Sequence, residues 1–150
     1  MIKIMFVCHG NICRSPMAEF VLRDMVTKQG VGDEFFIRSC ATSTEEIGNP
    51  VHYGTKRKLA QVGISCEGKT AVQMTRADYE KYDYIIAMDE NNIRNIMRII
   101  KSDPLNKVSL LLDFAGEHRG IADPWYTGDF EATYSDVVKG CVALLKKISK

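Results

Sequence analysis

Apolar positions along the chain switch between a short continuous pattern and a helical period. Ile2–Val7 (IKIMFV) is a nearly unbroken apolar run that stops at Cys8-His9-Gly10-Asn11, the pattern of a buried strand. Ser15-Pro16 then open a helix, with Ser as N-cap and Pro at the first helical position. Met17, Phe20, Val21 and Met25 recur at helical spacing within it, and Gly30 ends it. Phe35–Cys40 reads as a second strand. Asn49-Pro50 start another helix, with Val51, Thr55, Leu59 and Val62 on one face and Gly63 after it.

Thr75-x-x-Asp78 resembles a capping box for one short helical turn. Tyr82–Met88 is the third strand, and Asp89 caps a helix that turns Ile93, Ile96, Met97 and Ile100 inward. Val108–Leu112 is the fourth strand, followed by a turn-rich segment from Gly116 to Gly128. The last helix carries Phe130, Tyr134, Val137, Val138, Cys141, Leu145 and Ile148 on one stripe. Strands alternating with helices predict a single α/β domain over 1–150, with a mostly parallel sheet covered on both faces. In such sheets ligands bind beyond the carboxyl ends of the strands, and Cys8 falls at such an end.

Composition narrows the class. At 150 residues, 45% of them hydrophobic, the chain can bury about two-thirds of its unfolded surface without staples. Twenty Lys and Arg against nineteen Asp and Glu leave a net charge of +1, so no broad basic field exists for a nucleic-acid backbone. No apolar run approaches the roughly 18 residues that span a bilayer. Met1–Val7 is too short, and carries Lys3, for a signal-peptide core. The expectation is a cytoplasmic domain with no membrane or nucleic-acid partner; the oligomeric state is left open, with a monomer favoured.

Five cysteines, at 8, 13, 40, 66 and 141, are an odd number, and without a secretion signal reduced thiols are the expectation. No C-x-x-C pair occurs and His9, His52 and His118 are scattered, so no metal site is expected. Cys40, Cys66 and Cys141 read as small buried hydrophobes. Lys56-Arg57-Lys58 reads as a solvated helix face.

Only Val7-Cys8-His9-Gly10-Asn11-Ile12-Cys13-Arg14-Ser15-Pro16 carries evident chemistry. It places a thiol at a strand end, an arginine six residues on, and a helix start beyond. A loop curled between these points aims backbone N–H groups inward as an anion nest, with Gly10 and Asn11 supplying any positive φ. The helix N-terminus adds partial positive charge, and Arg14 grips two phosphate oxygens at once. Such surroundings favour a thiolate, here one aimed at phosphorus. The G-x-x-x-x-G-K-[ST] pattern of nucleotide P-loops is absent.

Cys8-x-Gly10-Asn11-x-Cys13-Arg14-Ser15-Pro16 resembles the phosphate loop of the low-molecular-weight protein tyrosine phosphatases. Asp123-Pro124-Trp125-Tyr126 is similar to that family's general-acid loop, and Tyr84–Glu90 to a family strand and helix start. The resemblance implies a four-stranded parallel sheet and hydrolysis of phosphotyrosine without metal or other cofactor. It makes Cys8 the nucleophile, Arg14 the phosphate ligand and Asp123 the proton donor. The phosphate loop would be Cys8, His9, Gly10, Asn11, Ile12, Cys13, Arg14 and Ser15. Asn11, Ser15 and Ser39 would support the loop and the thiolate, and Ile12, Trp125 and Tyr126 would wall the aryl group. Phosphotyrosine-containing proteins would be the partners, and Cys8 and Cys13 would form a reversible protective disulfide.

The sequence departs from the family at three positions. Glu45 stands where an aromatic residue is common at the mouth, with Glu46 beside it. The histidine and aspartate that commonly bind Glu19 are replaced by Gly68 and Arg38, so a direct Glu19–Arg38 ion pair is expected. Three other functions share the motif or the fold: an arginine phosphatase, a thioredoxin-linked arsenate reductase and a silent phosphate-binding module. Arsenate reductases need two further cysteines about seven residues apart, which Cys40, Cys66 and Cys141 do not supply. Arginine phosphatases resemble C-x-G-N-T-C-R-S, where this chain has Ile12.

Overall fold

Burial follows the apolar run at the start of the chain. Ile4–Cys8 of β1 (Ile2–Cys8) are all buried, with Ile4 and Phe6 packed on one side of the sheet and Met5 and Val7 on the other. Such two-sided burial is what a central parallel strand requires. The computed structural model describes residues 1–148. Its sheet has the order β2-β1-β3-β4, all parallel, with β2 at Phe35–Ala41, β3 at Tyr84–Ala87 and β4 at Val108–Leu110.

Helices α1 (Arg14–Lys28) and α6 (Phe130–Ile148) cover one face, where Met17, Leu22, Val137 and Leu144 meet Ile4, Phe6 and Ile86. The other face is covered by α4 (Glu90–Ile100), which turns Ile96 and Ile100 onto Met5, Val7, Ile85 and Leu110. α2 (Tyr53–Gln61) packs on α1 and α6, and α3 (Asp78–Lys81) is a single turn before β3. Val7 pairs with Ala87 in register, so Cys8 and Asp89 both emerge at the carboxyl edge of the two central strands.

Several boundaries differ from the sequence expectation. Helix α1 starts at Arg14 rather than after Ser15, because the Ser15 hydroxyl is taken by the Cys8 thiol and Asn11 instead of capping the helix. Pro50 forms an isolated bridge with Thr70, so α2 begins three residues later, capped by His52 Nδ1 accepting the Gly54 N–H. The third strand is trimmed at both ends to Tyr84–Ala87. β4 ends at Leu110, and Leu111–Ala115 wind into a 3-10 turn that buries Leu111 against α6. Of the basic run in α2, Lys56 and Arg57 are exposed but Lys58 folds onto Glu131 and the Tyr134 ring.

The helix stripes and the buried cysteines follow the pattern read from the sequence. Helix α6 crosses the Leu111 turn at Gly140, where a Cβ would lie 2.4 Å from Leu111 Cγ. Alanine gains roughly 1 kcal/mol in helix propensity over glycine, but overpacking a buried contact costs about 1–3 kcal/mol. Gly140→Ala should therefore lower the urea midpoint without changing turnover per folded molecule. An unchanged or raised midpoint would show that Leu111 moves aside freely.

Candidate active site

The segment between β1 and α1 is held from outside by its carbonyls. Thr42 and Ser43 N–H donate to the carbonyls of Cys8 and His9 at 3.0 and 3.1 Å. His52 N–H donates to Ile12 O at 2.8 Å, and the Thr55 hydroxyl to Cys13 O at 3.1 Å. Among the described residues, no backbone carbonyl accepts the N–H groups of Gly10, Asn11, Ile12 or Cys13. A loop with its acceptors tied outward and its donors unspent is built for an anion. The left-handed residue is Asn11, at φ 59°, and not Gly10. What Gly10 allows is the close approach of Glu46, whose Cγ would lie 3.3 Å from a Cβ there.

Asn11 also organises the interior. Its Oδ1 accepts the Val72 N–H at 3.2 Å, which sets the amide so that Nδ2 faces two hydroxyls. Nδ2 donates to Ser15 Oγ at 2.8 Å and to Ser39 Oγ at 2.9 Å. Ser39 in turn donates to Glu19 Oε1 at 2.6 Å. Ser15 Oγ thus accepts from Asn11 and keeps its own proton for Cys8 Sγ, 3.0 Å away; its other acceptor, Cys40 O, is at 3.5 Å. Ser15 is fully buried and Asn11 and Glu19 nearly so, as satisfied polar networks can be.

The expected Glu19–Arg38 pair is not formed. Arg38 is exposed, with its guanidinium 4.1 Å from the Phe36 ring centroid and a hydrogen bond to Ile37 O. Glu19 pairs instead with Arg23, one turn further along α1, and with Lys69, whose Nζ lies 3.8 Å from Oε1. Even-numbered positions of β2 face away from Glu19 while Ser39 faces it, so strand alternation excludes Arg38. Lys69 stands one residue past Gly68, a displacement spacing alone does not reveal.

Arg14 is held from a different direction. Its Nη1 donates to Asp89 Oδ2 at 2.7 Å and to Ile121 O at 2.9 Å, and its Nη2 lies 3.4 Å from Asp123 Oδ2. Burial works against the guanidinium charge, but Cys8, Asp89 and Asp123 outweigh it and raise Arg14 above its ordinary value. Asp89 performs two tasks, since its Oδ1 also accepts the Asn92 N–H in the capping box of α4. The sequence suggested only the cap. Its place just past β3, beside the end of β1, was the available signal for the second task.

The turn-rich segment reaches the same edge because Ile121 N–H donates to Met88 O at 2.8 Å. Asp123 then caps a short helix, α5 (Pro124–Thr127), through Trp125 N–H at 3.0 Å. Cys8, Arg14 and Asp123 line one pocket of about 220 Å³. Ile12, Trp125 and Tyr126 form part of its wall, and His9, Gly10, Cys13, Glu45 and Glu46 complete it. Trp125 and Tyr126 are 57% and 84% exposed, so they are rim aromatics and not core. Trp125 rests edge-on against His52, which stacks on Phe130. At the mouth, His9 Nε2 is 3.2 Å from Glu45 Oε2. Asn11, Ser15 and Ser39 lie behind the pocket, as support. Among the described residues, no group of three or more His, Cys, Asp or Glu is placed to hold a metal ion.

A parallel α/β sheet with an anion-binding loop at its carboxyl edge, a thiol at the loop's base and a carboxylate across the pocket defines a narrow class of proteins. The sequence profile of the low molecular weight phosphotyrosine protein phosphatases matches residues 3–150. The chain is 40% identical over 152 residues to YfkJ of Bacillus subtilis, described as a low molecular weight protein-tyrosine-phosphatase, covering all of this chain and 97% of that one. Its identity to the rat low molecular weight phosphotyrosine protein phosphatase is also 40%, over 97% of this chain and 94% of that one. The crystal structure of YfkJ superposes with a TM-score of 0.96 over 99% of this chain and 95% of that one, at 39% identity. The low molecular weight protein tyrosine phosphatase SP-PTP of Streptococcus pyogenes gives 0.87 over 99% and 93%, at 43% identity. The chain belongs to the low molecular weight phosphotyrosine protein phosphatase family, a family of enzymes.

The two loop thiols differ in environment. Burial pushes the Cys13 thiol up to about 12, with the Cys8 and Asp123 charges adding to the effect, so it stays protonated between pH 6 and 9. Iodoacetamide at pH 7 should therefore label Cys8 and leave Cys13 untouched, as read by peptide mass spectrometry. Labelling of Cys13 ahead of Cys8 would contradict this assignment.

Proposed function

We propose that the protein hydrolyses phosphotyrosine in proteins through a phosphocysteine on Cys8, with Arg14 and Asp123 as its catalytic partners. The observation that carries this reading is the shared pocket, where a thiol accepting the Ser15 hydroxyl, an anchored guanidinium and a carboxylate meet. In the first step Cys8 Sγ attacks phosphorus as a thiolate, the bond from phosphorus to the tyrosyl oxygen breaks, and Asp123 gives its proton to the leaving phenolate. In the second step water attacks the phosphocysteine, Asp123 takes a proton from that water, and the phosphorus–sulfur bond breaks to release phosphate and restore the thiolate. Arg14 and the loop N–H groups hold the phosphoryl oxygens throughout. Phosphoryl transfer has a loose transition state, so placement of charge and orientation supply most of the acceleration.

Oxidation belongs to the same reading. A peroxide would convert Cys8 to a sulfenic acid, and Cys13 would displace water from it to form a disulfide that dithiols reopen. The raised value of Cys13 makes that closure faster in more alkaline solution.

Asp123→Asn should lower turnover by roughly a hundred- to ten-thousand-fold, the range of a lost general acid. The loss should be larger on phenyl phosphate than on p-nitrophenyl phosphate, whose leaving group needs its proton less. Equal losses on both substrates would make Asp123 a purely structural cap.

Substrate choice turns on the wall. Ile12 contributes apolar surface beside Trp125 and Tyr126, which suits a phenyl ring, whereas a guanidinium there would lose water without gaining a partner. Phosphotyrosine peptides should be strongly preferred over phosphoarginine and phosphoserine peptides, and Ile12→Thr should raise relative phosphoarginine activity. Faster hydrolysis of phosphoarginine by the unaltered protein would overturn the substrate assignment.

A further inference from the structure

Lys69 is a half-buried cation outside the pocket, at the far end of the hydrogen-bond chain that reaches Cys8. Its Nζ donates to Ser39 O at 2.9 Å and lies 3.8 Å from Glu19 Oε1, the same oxygen that accepts the Ser39 hydroxyl. Only 12% of its side chain is exposed, against 36% for Arg23, which takes the other oxygen of Glu19. Lys69 therefore holds Ser39 by its carbonyl while sitting against the carboxylate that orients its hydroxyl.

Val72 sets the direction of the chain at Asn11, and the Glu19 end agrees with it. A carboxylate at Glu19 makes Ser39 a donor, which leaves Ser39 Oγ open to one Asn11 N–H. Asn11, pinned by Val72, gives its other N–H to Ser15, which leaves the Ser15 proton for Cys8. Every link then runs as donor toward a negative group, one at each end of the chain. Two buried negative groups bridged by polar hydrogens repel each other unless a cation offsets one of them. The charged or titratable groups acting on Lys69 are Glu19 and Arg23 from α1, Cys40 from β2 and Cys8 from β1.

We propose that Lys69 is a positioning residue of this site: by offsetting Glu19 alongside Arg23 and anchoring Ser39, it supports donation of the Ser15 hydroxyl to a thiolate at Cys8. It lies outside the pocket lining and acts through Ser39 and Glu19. Burial lowers Lys69 from its ordinary value while Glu19 opposes the fall, consistent with a cation kept in place by its partner.

The inference rests on the proposed role of Cys8 as a nucleophile, but its test does not need turnover. The readout is the ratio of Cys8 alkylation rates by iodoacetamide at pH 6 and pH 9, which reports the thiolate share without substrate. In Lys69→Gln, which keeps a donor but loses the charge, that ratio should fall about threefold or more. Lys69→Arg should restore most of it. With p-nitrophenyl phosphate, Lys69→Gln should lower kcat by a similar factor with little change in KM. An unchanged ratio in folded Lys69→Gln protein would overturn the proposal. If that variant does not fold, Ser39→Ala cuts the same chain and should lower the ratio, with Ser39→Thr restoring it; an unchanged ratio in Ser39→Ala overturns the proposal equally. A shifted ratio in a protein that hydrolyses no phosphotyrosine would refute the proposed function and leave the Lys69 link standing.

Discussion

The Arg14 guanidinium carries a full charge into a site that is 3% exposed, and a charge so placed must find protein acceptors in place of water. Two segments supply three of them. Asp89 comes from the end of β3, Ile121 O from the segment after the Leu111 turn, and Asp123 from the cap of α5. Each was brought there by something unrelated to arginine: sheet register for Asp89, and the Ile121–Met88 backbone bond for the other two. Of these acceptors Asp123 also lines the pocket, while Asp89 and Ile121 hold the arginine from outside the lining. Removing a single acceptor would leave a buried charge partly unpaired, a larger loss than the interaction's own net worth.

Cys8 is held by a second network, the polar chain from Glu19 through Ser39 and Asn11 to Ser15. The thiol also lines the pocket that Arg14 and Asp123 share. The Arg14 guanidinium and the unspent loop N–H groups favour a bound oxyanion. Neither network needs rearrangement to act, because the groups are already satisfied by one another. The strained element in this scheme is Asn11, whose positive φ is stabilised by three side-chain hydrogen bonds.

Much of this was legible in the sequence where local chemistry decides. The apolar run of β1, the stripes of α4 and α6 and the loop from Cys8 to Ser15 all lie in short windows. Asp123 could be placed by its motif. What the sequence did not disclose came from competition between local and distant partners. Ser15 has the residue type of a helix cap, but a thiol seven positions earlier claims its hydroxyl. Asn49-Pro50 has the form of a helix start, yet Pro50 bridges to Thr70 and the helix waits for His52. Asp89 read as a cap and is one, but its second oxygen binds an arginine 75 residues away. Arg38 is the expected partner of Glu19, but strand alternation turns it outward and Lys69 takes its place beside Arg23.

The proposed function makes Cys8 a nucleophile on which a phosphoryl group is trapped. Mixing the protein rapidly with excess p-nitrophenyl phosphate, quenching within milliseconds and mapping the phosphorylated peptide tests that claim directly. The account predicts a burst approaching one equivalent of p-nitrophenolate per protein when water attack is the slower step, with phosphate recovered on Cys8 and on no other side chain. Phosphate recovered on a different residue, or steady turnover by a Cys8→Ser protein, would contradict it.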